Sequence, residues 1–400
     1  MSTDRLERYA DITLKVGVNL QPGQALMISA DVAHAPLARA MADRAWRAGA
    51  GSVFAFYRDA ELRKPLIDLA PDAALTLSPP GGVRMIDELV EQKAGFVQIA
   101  GDPAPELLAH SDPARSGRAV PVDYVRRWGR SIGHRELAWT LVGCPVEGWA
   151  KQVYGEPDVE RLWQAVERTV RLDLPDPVAA WRERLDKLNS IAAGLNNRKF
   201  DAIRYRGPGT DLTVGLLPSA RFMSAGQFTT SWGQAHVANL PTEEVFTSPD
   251  RRRTEGKIRS TRPLTVGGRI INGLELTFKD GHITEVRADG DGADLIRTMI
   301  ATDPGAPYLG EIALVDSESR VGEAKMIFWN TLYDENATCH IAFGHGFDFT
   351  VADEEDREAG LNQSAVHTDF MVGGPEIEID GLDKNGNAVP ILREDRFQSL

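Results

Sequence analysis

The sequence predicts an α/β N-terminal domain with a mainly parallel sheet, followed by a β-rich α+β C-terminal domain. Three observations lead to this prediction. The chain has 400 residues, more than one ordinary compact domain usually holds. Short apolar runs alternate with helical patterns over residues 1–150, and closely spaced short strands with turn signals follow Phe200. Strand and helix in alternation are typical of βαβ units, whereas closely spaced strands are typical of antiparallel sheets.

The first domain is assigned to residues 1–197 and contains four predicted strands. Each is a short apolar run, and the four are 25–30 (ALMISA), 51–57 (GSVFAFY), 96–101 (FVQIAG) and 137–143 (LAWTLVG). Residues 34–48 have the pattern of a helix. Residues 157–197 are helical and strongly charged, and Pro175 and Pro177 divide them. We interpret this last segment as a hinge region between the domains.

The second domain is assigned to residues 198–400 and is predicted to be β-rich. Its strand-like stretches include DAIRYRG, DLTVGLL and LELTFKDGHITEVRA. The turn at 279–282 contains Asp-Gly flanked by alternating apolar residues, which is a strong local signal for a β-hairpin. Antiparallel pairing is therefore expected for this half of the chain.

The charge and cysteine content exclude several classes of protein. Acidic residues outnumber basic ones by 58 to 45, giving a formal charge of −13, which disfavours binding to nucleic acid or to an anionic membrane. The N-terminal segment lacks the apolar core of a signal peptide, and no apolar run is long enough to span a membrane. The two cysteines, Cys144 and Cys339, do not form a disulfide framework. We expect a cytoplasmic protein without a nucleic-acid or membrane partner.

Acids and histidines are concentrated after residue 239, in four segments. Segment 239–250 carries Glu243 and Glu244 in an extended stretch. Adjacent strand residues face opposite ways, so only one of the two is expected to point into a given site. Glu311 lies near the start of the strongly apolar run 308–316. Such an acid is either the solvated end of a strand or a metal ligand.

The segment HTDFMV, 367–372, is predicted to be a strand. His367 and Asp369 are two residues apart, so they project from the same face and can bind one ion together. The alternative is an ordinary polar face.

The stretch YDENATCHIAFGHGF, 333–347, places acids ahead of a histidine in an apolar run. Asn336 is predicted to be a helix N-cap, which makes His340 the fourth helical residue and puts Glu335 just before the cap. Residues in these two positions meet across a helix start. Glu335 and His340 can then bind one ion. The alternative is a core histidine that is hydrogen-bonded to an acid.

Together, four carboxylates and two imidazoles can supply a site for two divalent ions, and the C-terminal domain would carry it. Oxygen-rich ligation with some nitrogen suits Zn²⁺, Co²⁺ or Mn²⁺. Two ions roughly 3.5–4 Å apart lower the pKa of a bridging water and polarise a carbonyl, which is the arrangement used for amide hydrolysis. No protein nucleophile is needed for that chemistry.

Taken in order, these segments resemble the aminopeptidase T and aminopeptidase S family of dinuclear metallopeptidases. The resemblance covers nearly the whole chain and is strongest in NLPTEEVFTSPD, YLGEIALV, NTLYDENATCHIAFG and HTDFMVG. It implies a homodimeric exopeptidase with two divalent ions per chain, acting on peptides with a free N-terminus and often favouring leucine or other apolar residues. The metal ligands that it implies are Glu244, Glu311, Glu335, His340, His367 and Asp369.

One position departs from the family pattern. A tyrosine usually follows the metal histidine by seven residues, and this chain has Phe347 there. A phenyl ring cannot donate a hydrogen bond to an oxyanion, and losing one such donor costs about 10²–10³ in rate. We interpret His345 as a substitute donor. The alternatives are a dinuclear hydrolase of another small amide or ester, or a metal-binding homologue without catalysis.

Overall fold

The computed structural model describes residues 3–266, 269–290 and 292–399. It divides into two compact units, of which the first contains Met1–Arg184 and Ala225–Pro241 and the second contains Leu185–Ser224 and Thr242–Leu400. The units therefore divide within a helix, and one later segment returns to the first unit. The domain boundary between residues 197 and 198 stays a prediction from the sequence.

Helices and parallel strands alternate in the first 198 residues. Four strands occur in this part of the chain, β1 (Ala25–Asp31), β2 (Ser52–Arg58), β3 (Gly95–Ala100) and β4 (Ala138–Gly143). The helices are α1 (Thr3–Ile12), α2 (Ala35–Arg47), α3 (Arg63–Leu69), α4 (Gly82–Glu91), α5 (Pro113–Arg118), α6 (Val122–Gly133), α7 (Glu147–Tyr154), α8 (Val159–Thr169) and α9 (Pro177–Arg198).

Short strands dominate the rest of the chain. They are β5 (Ala202–Gly207), β6 (Thr210–Leu216), β7 (Met223–Ser224), β8 (Asn239–Leu240), β9 (Glu244–Thr247), β10 (Pro249–Arg259), β11 (Leu264–Val266), β12 (Arg269–Ile271), β13 (Glu275–Lys279), β14 (His282–Arg287), β15 (Leu309–Val315), β16 (His340–Gly344), β17 (His367–Met371), β18 (Glu378–Leu382), β19 (Ala388–Arg393) and β20 (Arg396–Phe397). The helices are α10 (Gly292–Ile300), α11 (Arg320–Glu323), α12 (Thr331–Asp334) and α13 (Glu354–Gly360).

The first unit contains a parallel five-stranded sheet with the order β2-β1-β3-β4-β8. The four strands predicted from apolar runs are confirmed. Strands β1, β3 and β4 are largely buried, as is usual in a parallel sheet, whereas the edge strand β2 is mostly exposed. The fifth strand, β8, pairs in parallel with β4. Its two residues are too few to show a pattern, so the sequence did not predict it.

The second unit contains the antiparallel strands. Its largest sheet has eight strands in the order β14-β13-β10-β6-β5-β18-β19-β20. The predicted hairpin turn is confirmed between β13 and β14, where Asp280 and Gly281 have φ angles of 49° and 80°. A parallel sheet followed by an antiparallel region confirms the predicted fold class. Within the described ranges, no helix has the length and apolarity needed to cross a membrane.

Candidate metal centre

The candidate site lies on one face of an antiparallel sheet with the order β17-β16-β15-β9-β7. Ala342 of β16 pairs directly with Glu311 of β15 and with Asp369 of β17. Directly opposed residues share a face of an antiparallel sheet, as do residues two apart on one strand. His340 and His367 therefore share this face with the two carboxylates.

Strand β9 adds the fifth side chain to the same face. Glu244 pairs with Val315, which lies four residues beyond Glu311 on β15. Ala313 pairs with His340 and faces the same way. The small side chains of Ala313 and Ala342 therefore lie among the ligands and leave room above the sheet for ions.

These five side chains form two groups that share one carboxylate. The first group contains Glu244, Glu311 and His340, and the second contains Glu311, His367 and Asp369. Within each group the potential ligand atoms lie within 4.8 Å of one another. Each group offers the mixed nitrogen and oxygen donors that a divalent ion takes. The His367 side chain is 27% exposed, against 11% or less for the other four, so His367 is the side chain of the cluster most open to solvent.

The orientation of His340 fits a bound cation. Its Nδ1 lies 3.4 Å from the carbonyl oxygen of Thr338, and its Nε2 lies 3.1 Å from Oε2 of Glu244. When Nδ1–H donates to the carbonyl, the Nε2 lone pair faces the carboxylate. Two electron-rich atoms at this distance require a proton or a metal ion between them. Fixing the tautomer through Nδ1 is the usual way in which proteins prepare a histidine ligand.

His367 has the same arrangement. Its Nδ1 lies 2.8 Å from the carbonyl oxygen of His345. Its Nε2 lies 3.1 Å from Oε2 of Glu311 and 3.4 Å from Oδ1 of Asp369. Both imidazoles therefore present Nε2 to carboxylates, and the donor set fits divalent ions with mixed nitrogen and oxygen ligation.

The cluster shifts the pKa values of its members strongly. Burial acts to lower the pKa of His340, but the hydrogen bond to Glu244 and the surrounding negative charge raise it to about 10. Burial likewise opposes protonation of His367, whose pKa is nevertheless raised well above its ordinary value by Asp369 and Glu311. Burial raises the pKa of Glu311. Without metal, the imidazoles therefore hold protons where the ions would bind.

The prediction that Asn336 caps a helix containing His340 is wrong. Asn330 is the N-cap of α12, and His340 begins the fully buried strand β16. The Asn336 side chain instead donates to the carbonyl of Leu332 at 2.9 Å and accepts from the amide of Glu243 at 2.7 Å. A cap contributes about 1 kcal/mol. Burying each large apolar side chain of β16 contributes roughly 1.5–3 kcal/mol, so the buried strand is more stable than the capped helix.

Glu335 is not part of either group of ligand atoms among the described residues. It lies in the 3-10 turn Glu335–Ala337 between α12 and β16. Burial raises the pKa of Glu335 well above its ordinary value, and the charges of Asp369 and Glu244 add to the effect. Glu335 therefore lies within the field of the cluster, and its role as a ligand stays a prediction.

Two further residues lie next to the second group. The ring of Phe347 has its centroid 5.2 Å from that of His367. His345 is half-buried, and burial together with the charge of His367 lowers its pKa. Its Nδ1 atom has no hydrogen-bond partner among the described residues. The proposed donor role of His345 stays a prediction.

The sequence did not identify the residues that support the ligands. These are Asn336, the carbonyl groups of Thr338 and His345, and the small residues Ala313 and Ala342. None carries a sequence signal for this supporting role, and the capping signal of Asn336 indicated a different one. Only the alternation within β15 and β16 distinguishes the two alanines from the apolar residues on the opposite face.

Comparisons with known proteins identify the family of this chain. The family of thermophilic metalloproteases (M29) matches residues 2–397. Aminopeptidase 2 of Geobacillus stearothermophilus is 38% identical, over 97% of this chain and 96% of the relative. Aminopeptidase T of Thermus thermophilus is 36% identical, over 98% of each chain. The structure of wild-type AmpT from Thermus thermophilus superposes with a TM-score of 0.90 at 34% identity and covers 98% of each chain. The chain therefore belongs to the thermophilic metalloprotease family M29.

Proposed function

We propose that this protein is a metal-dependent aminopeptidase that hydrolyses the N-terminal peptide bond of peptides with a free N-terminus. The observation that carries the proposal is the clustering of five predicted ligands on one sheet face. This clustering occurs in a chain that matches a metalloprotease family over residues 2–397. The names of the relatives, which are aminopeptidases, support the choice of substrate.

We infer two divalent ions per chain, Zn²⁺, Co²⁺ or Mn²⁺. Glu244, Glu311 and His340 would hold one, and Glu311, His367 and Asp369 the other, with Glu335 as the sixth ligand. When bound, such ions lower the pKa of water and polarise a substrate carbonyl.

The protein's own residues provide the remaining functions. The carbonyl of His345 keeps the His367 ring in its binding orientation through a 2.8 Å hydrogen bond. The concentrated carboxylates attract the α-ammonium group of a substrate, which favours peptides with a free N-terminus. The formal charge of −13 adds to this attraction at short range, although salt screens it beyond about 10 Å. Phe347 cannot donate a hydrogen bond, so we assign the donor function at this position to His345.

The test begins with protein stripped of metal by a chelator. Zn²⁺, Co²⁺ or Mn²⁺ is then added singly, and hydrolysis of leucyl-p-nitroanilide is compared with that of its N-acetylated form. We expect metal-dependent release from the free amine only. His367→Ala should abolish this activity while the chain stays folded, and the matched variant His282→Ala, at the exposed first residue of β14, should retain it. Full activity in His367→Ala would show that the ligand assignment is wrong.

The second candidate function is hydrolysis of another small amide or ester. It is favoured by the phenyl ring of Phe347, 5.2 Å from His367 in a place where the family has a phenol. Two bound ions per chain with turnover of a different amide or ester would support it. Two bound ions with no turnover of any substrate would instead support a metal-binding protein without catalysis.

We propose that the protein is a cytoplasmic homodimer. The first unit exposes large apolar side chains between residues 54 and 77, including Phe54 at 56%, Leu62 at 67% and Leu69 at 81%. Several large apolar side chains exposed within one short part of the chain are candidates for an interaction surface. Sedimentation equilibrium should give twice the 43.8 kDa mass of the chain. Leu69→Glu should shift the protein towards the monomer.

A further inference from the structure

Three phenylalanines lie together beside the candidate metal centre. Phe246 is two residues from Glu244 on β9, so it projects from the ligand face of the sheet. Its ring makes edge contacts with Phe347 at 5.8 Å and with Phe349 at 6.3 Å between centroids. Phe347 and Phe349 stack on each other at 5.4 Å with an angle of 20° between their planes. We call Phe246, Phe347 and Phe349 the aromatic wall.

The aromatic wall borders the accessible side of the metal centre. Phe347 lies 5.2 Å from the ring of His367, which is the most exposed of the five clustered ligands. Phe246 is buried, whereas Phe347 and Phe349 remain half-buried. The two outer rings therefore keep an apolar surface within reach of a molecule bound at the second group of ligands.

Hydrogen bonds between two side chains and the backbone of Phe347 fix the position of the outer part of the wall. The amide of Phe347 donates to Oγ of Ser248 at 2.8 Å, and Oγ1 of Thr350 donates to the carbonyl of Phe347 at 2.7 Å. A Cβ atom at Gly346 would lie only 2.8 Å from Leu361, so the segment packs closely against its neighbour. Because this surface is ordered before a ligand binds, binding loses little conformational entropy there.

The wall offers dispersion and apolar contact but no hydrogen bond. None of its three rings carries a polar atom, and its members face a site otherwise composed of carboxylates and imidazoles. A substituent that leaves the metal centre on the His367 side would meet the outer two rings, and only an apolar substituent gains from that contact.

We propose that Phe347, supported by Phe246 and Phe349, determines specificity by contacting the side chain of the substrate's first residue. This contact would favour large apolar side chains, such as those of leucine and phenylalanine, over the methyl group of alanine. This inference rests on the proposed aminopeptidase function. The residue that departs from the family pattern thereby acquires a role in substrate choice.

The test compares kcat/KM for leucyl-, phenylalanyl- and alanyl-p-nitroanilide in the metal-loaded protein. A hydrophobic pocket discriminates by about 10- to 200-fold per methylene at most, so we expect Phe347→Ala to reduce the leucine-to-alanine ratio by about tenfold. Phe349→Leu should reduce it less, and Phe347→Tyr, which keeps the ring, should preserve it. Phe397→Ala is the matched control, because Phe397 is a half-buried phenylalanine on β20 of another sheet.

A second readout separates this inference from the proposed function. Calorimetric binding of L-leucinamide and L-alaninamide measures side-chain preference without turnover, and the metal content of each variant is measured alongside. Loss of the leucine preference in Phe347→Ala with two ions retained would support the inference, even if the wild type hydrolysed no p-nitroanilide. An unchanged ratio in both readouts, with active wild-type enzyme, would overturn the inference and leave the proposed function standing.

Discussion

Binding of metal to the candidate centre is expected to release protons, because the ions replace protons held by the ligands. Each Nε2 of His340 and His367 faces a carboxylate oxygen at 3.1 Å. Without metal, a proton occupies each of these contacts. A ligand nitrogen must lose that proton before it can bind a cation.

The number of protons follows from the pKa shifts. His340, with a pKa raised to about 10, carries a full proton at pH 7. The pKa of His367 is raised well above its ordinary value, and Asp369, whose pKa is lowered by the charge of His367 despite its burial, carries none. Filling both sites should therefore release at least about two protons per chain. Glu335, with a strongly raised pKa, contributes up to one more if it is a ligand.

Isothermal titration calorimetry measures this number directly. Zn²⁺ is titrated into metal-free protein at pH 7 in buffers with different ionisation enthalpies, and the slope of the observed enthalpy against the buffer enthalpy gives the protons released. Because the folded pKa values lie above the working pH, raising the pH reduces the competition from protons. With two protons released, the apparent association constant for the pair of ions should rise roughly a hundredfold per pH unit between pH 6 and 7.5.

Two variants sharpen the measurement. Glu335→Gln should lower the proton count by up to one while the five clustered ligands still bind ions. His236→Phe should leave the count unchanged, because burial lowers the pKa of His236 to about 4 and its ring is neutral at pH 7. A slope below one proton in the wild-type protein would refute the reasoning, since the imidazoles would then be neutral before metal binds.

Three further predictions concern packing, pH and thiol chemistry. Ala342→Val should reduce the metal content from two ions towards one, measured by elemental analysis, because the methyl groups of the valine enter the space between the ligands. Ile341→Val, on the opposite face, should keep the metal content and lower the free energy of unfolding by about 0.5–1.5 kcal/mol. Because the folded pKa of His236 is about 4, below the ordinary 6.5, the unfolded state binds more protons at acid pH. Stability should fall by about 3 kcal/mol between pH 7 and 4 relative to His236→Phe, measured by urea unfolding. Burial raises the pKa of Cys144 and Cys339 to about 12, so neither should react with a disulfide reagent until the protein unfolds.

The sequence predicted the elements whose signals are local. The four apolar runs of the first unit are strands because each is continuous, short and bounded by helical segments. The predicted strand at 367–372 is confirmed as β17, and its period of two places His367 and Asp369 on one face. These features require no knowledge of distant partners.

The remaining features depend on pairing between distant segments. Ala342 lies between Glu311 and Asp369 because of the register of three strands. No local sequence pattern determines such a register. The strands β7 and β8 contain two residues each, too few to be recognised. At Asn336 the local preference was real, but burial of β16 in the sheet outweighed it.

The ligand face has a consequence for how the chain folds. An ion held by Glu244, Glu311 and His340 would join three separate strands, and one held by Glu311, His367 and Asp369 would join the fourth through β15. A slip of one residue in any of these strands turns its ligands to the other side of the sheet. Only a correctly aligned sheet could then retain the ions, so bound metal would favour the native strand alignment. We therefore expect the amides of β16 to exchange their hydrogens only when the ions are released and the strands separate together.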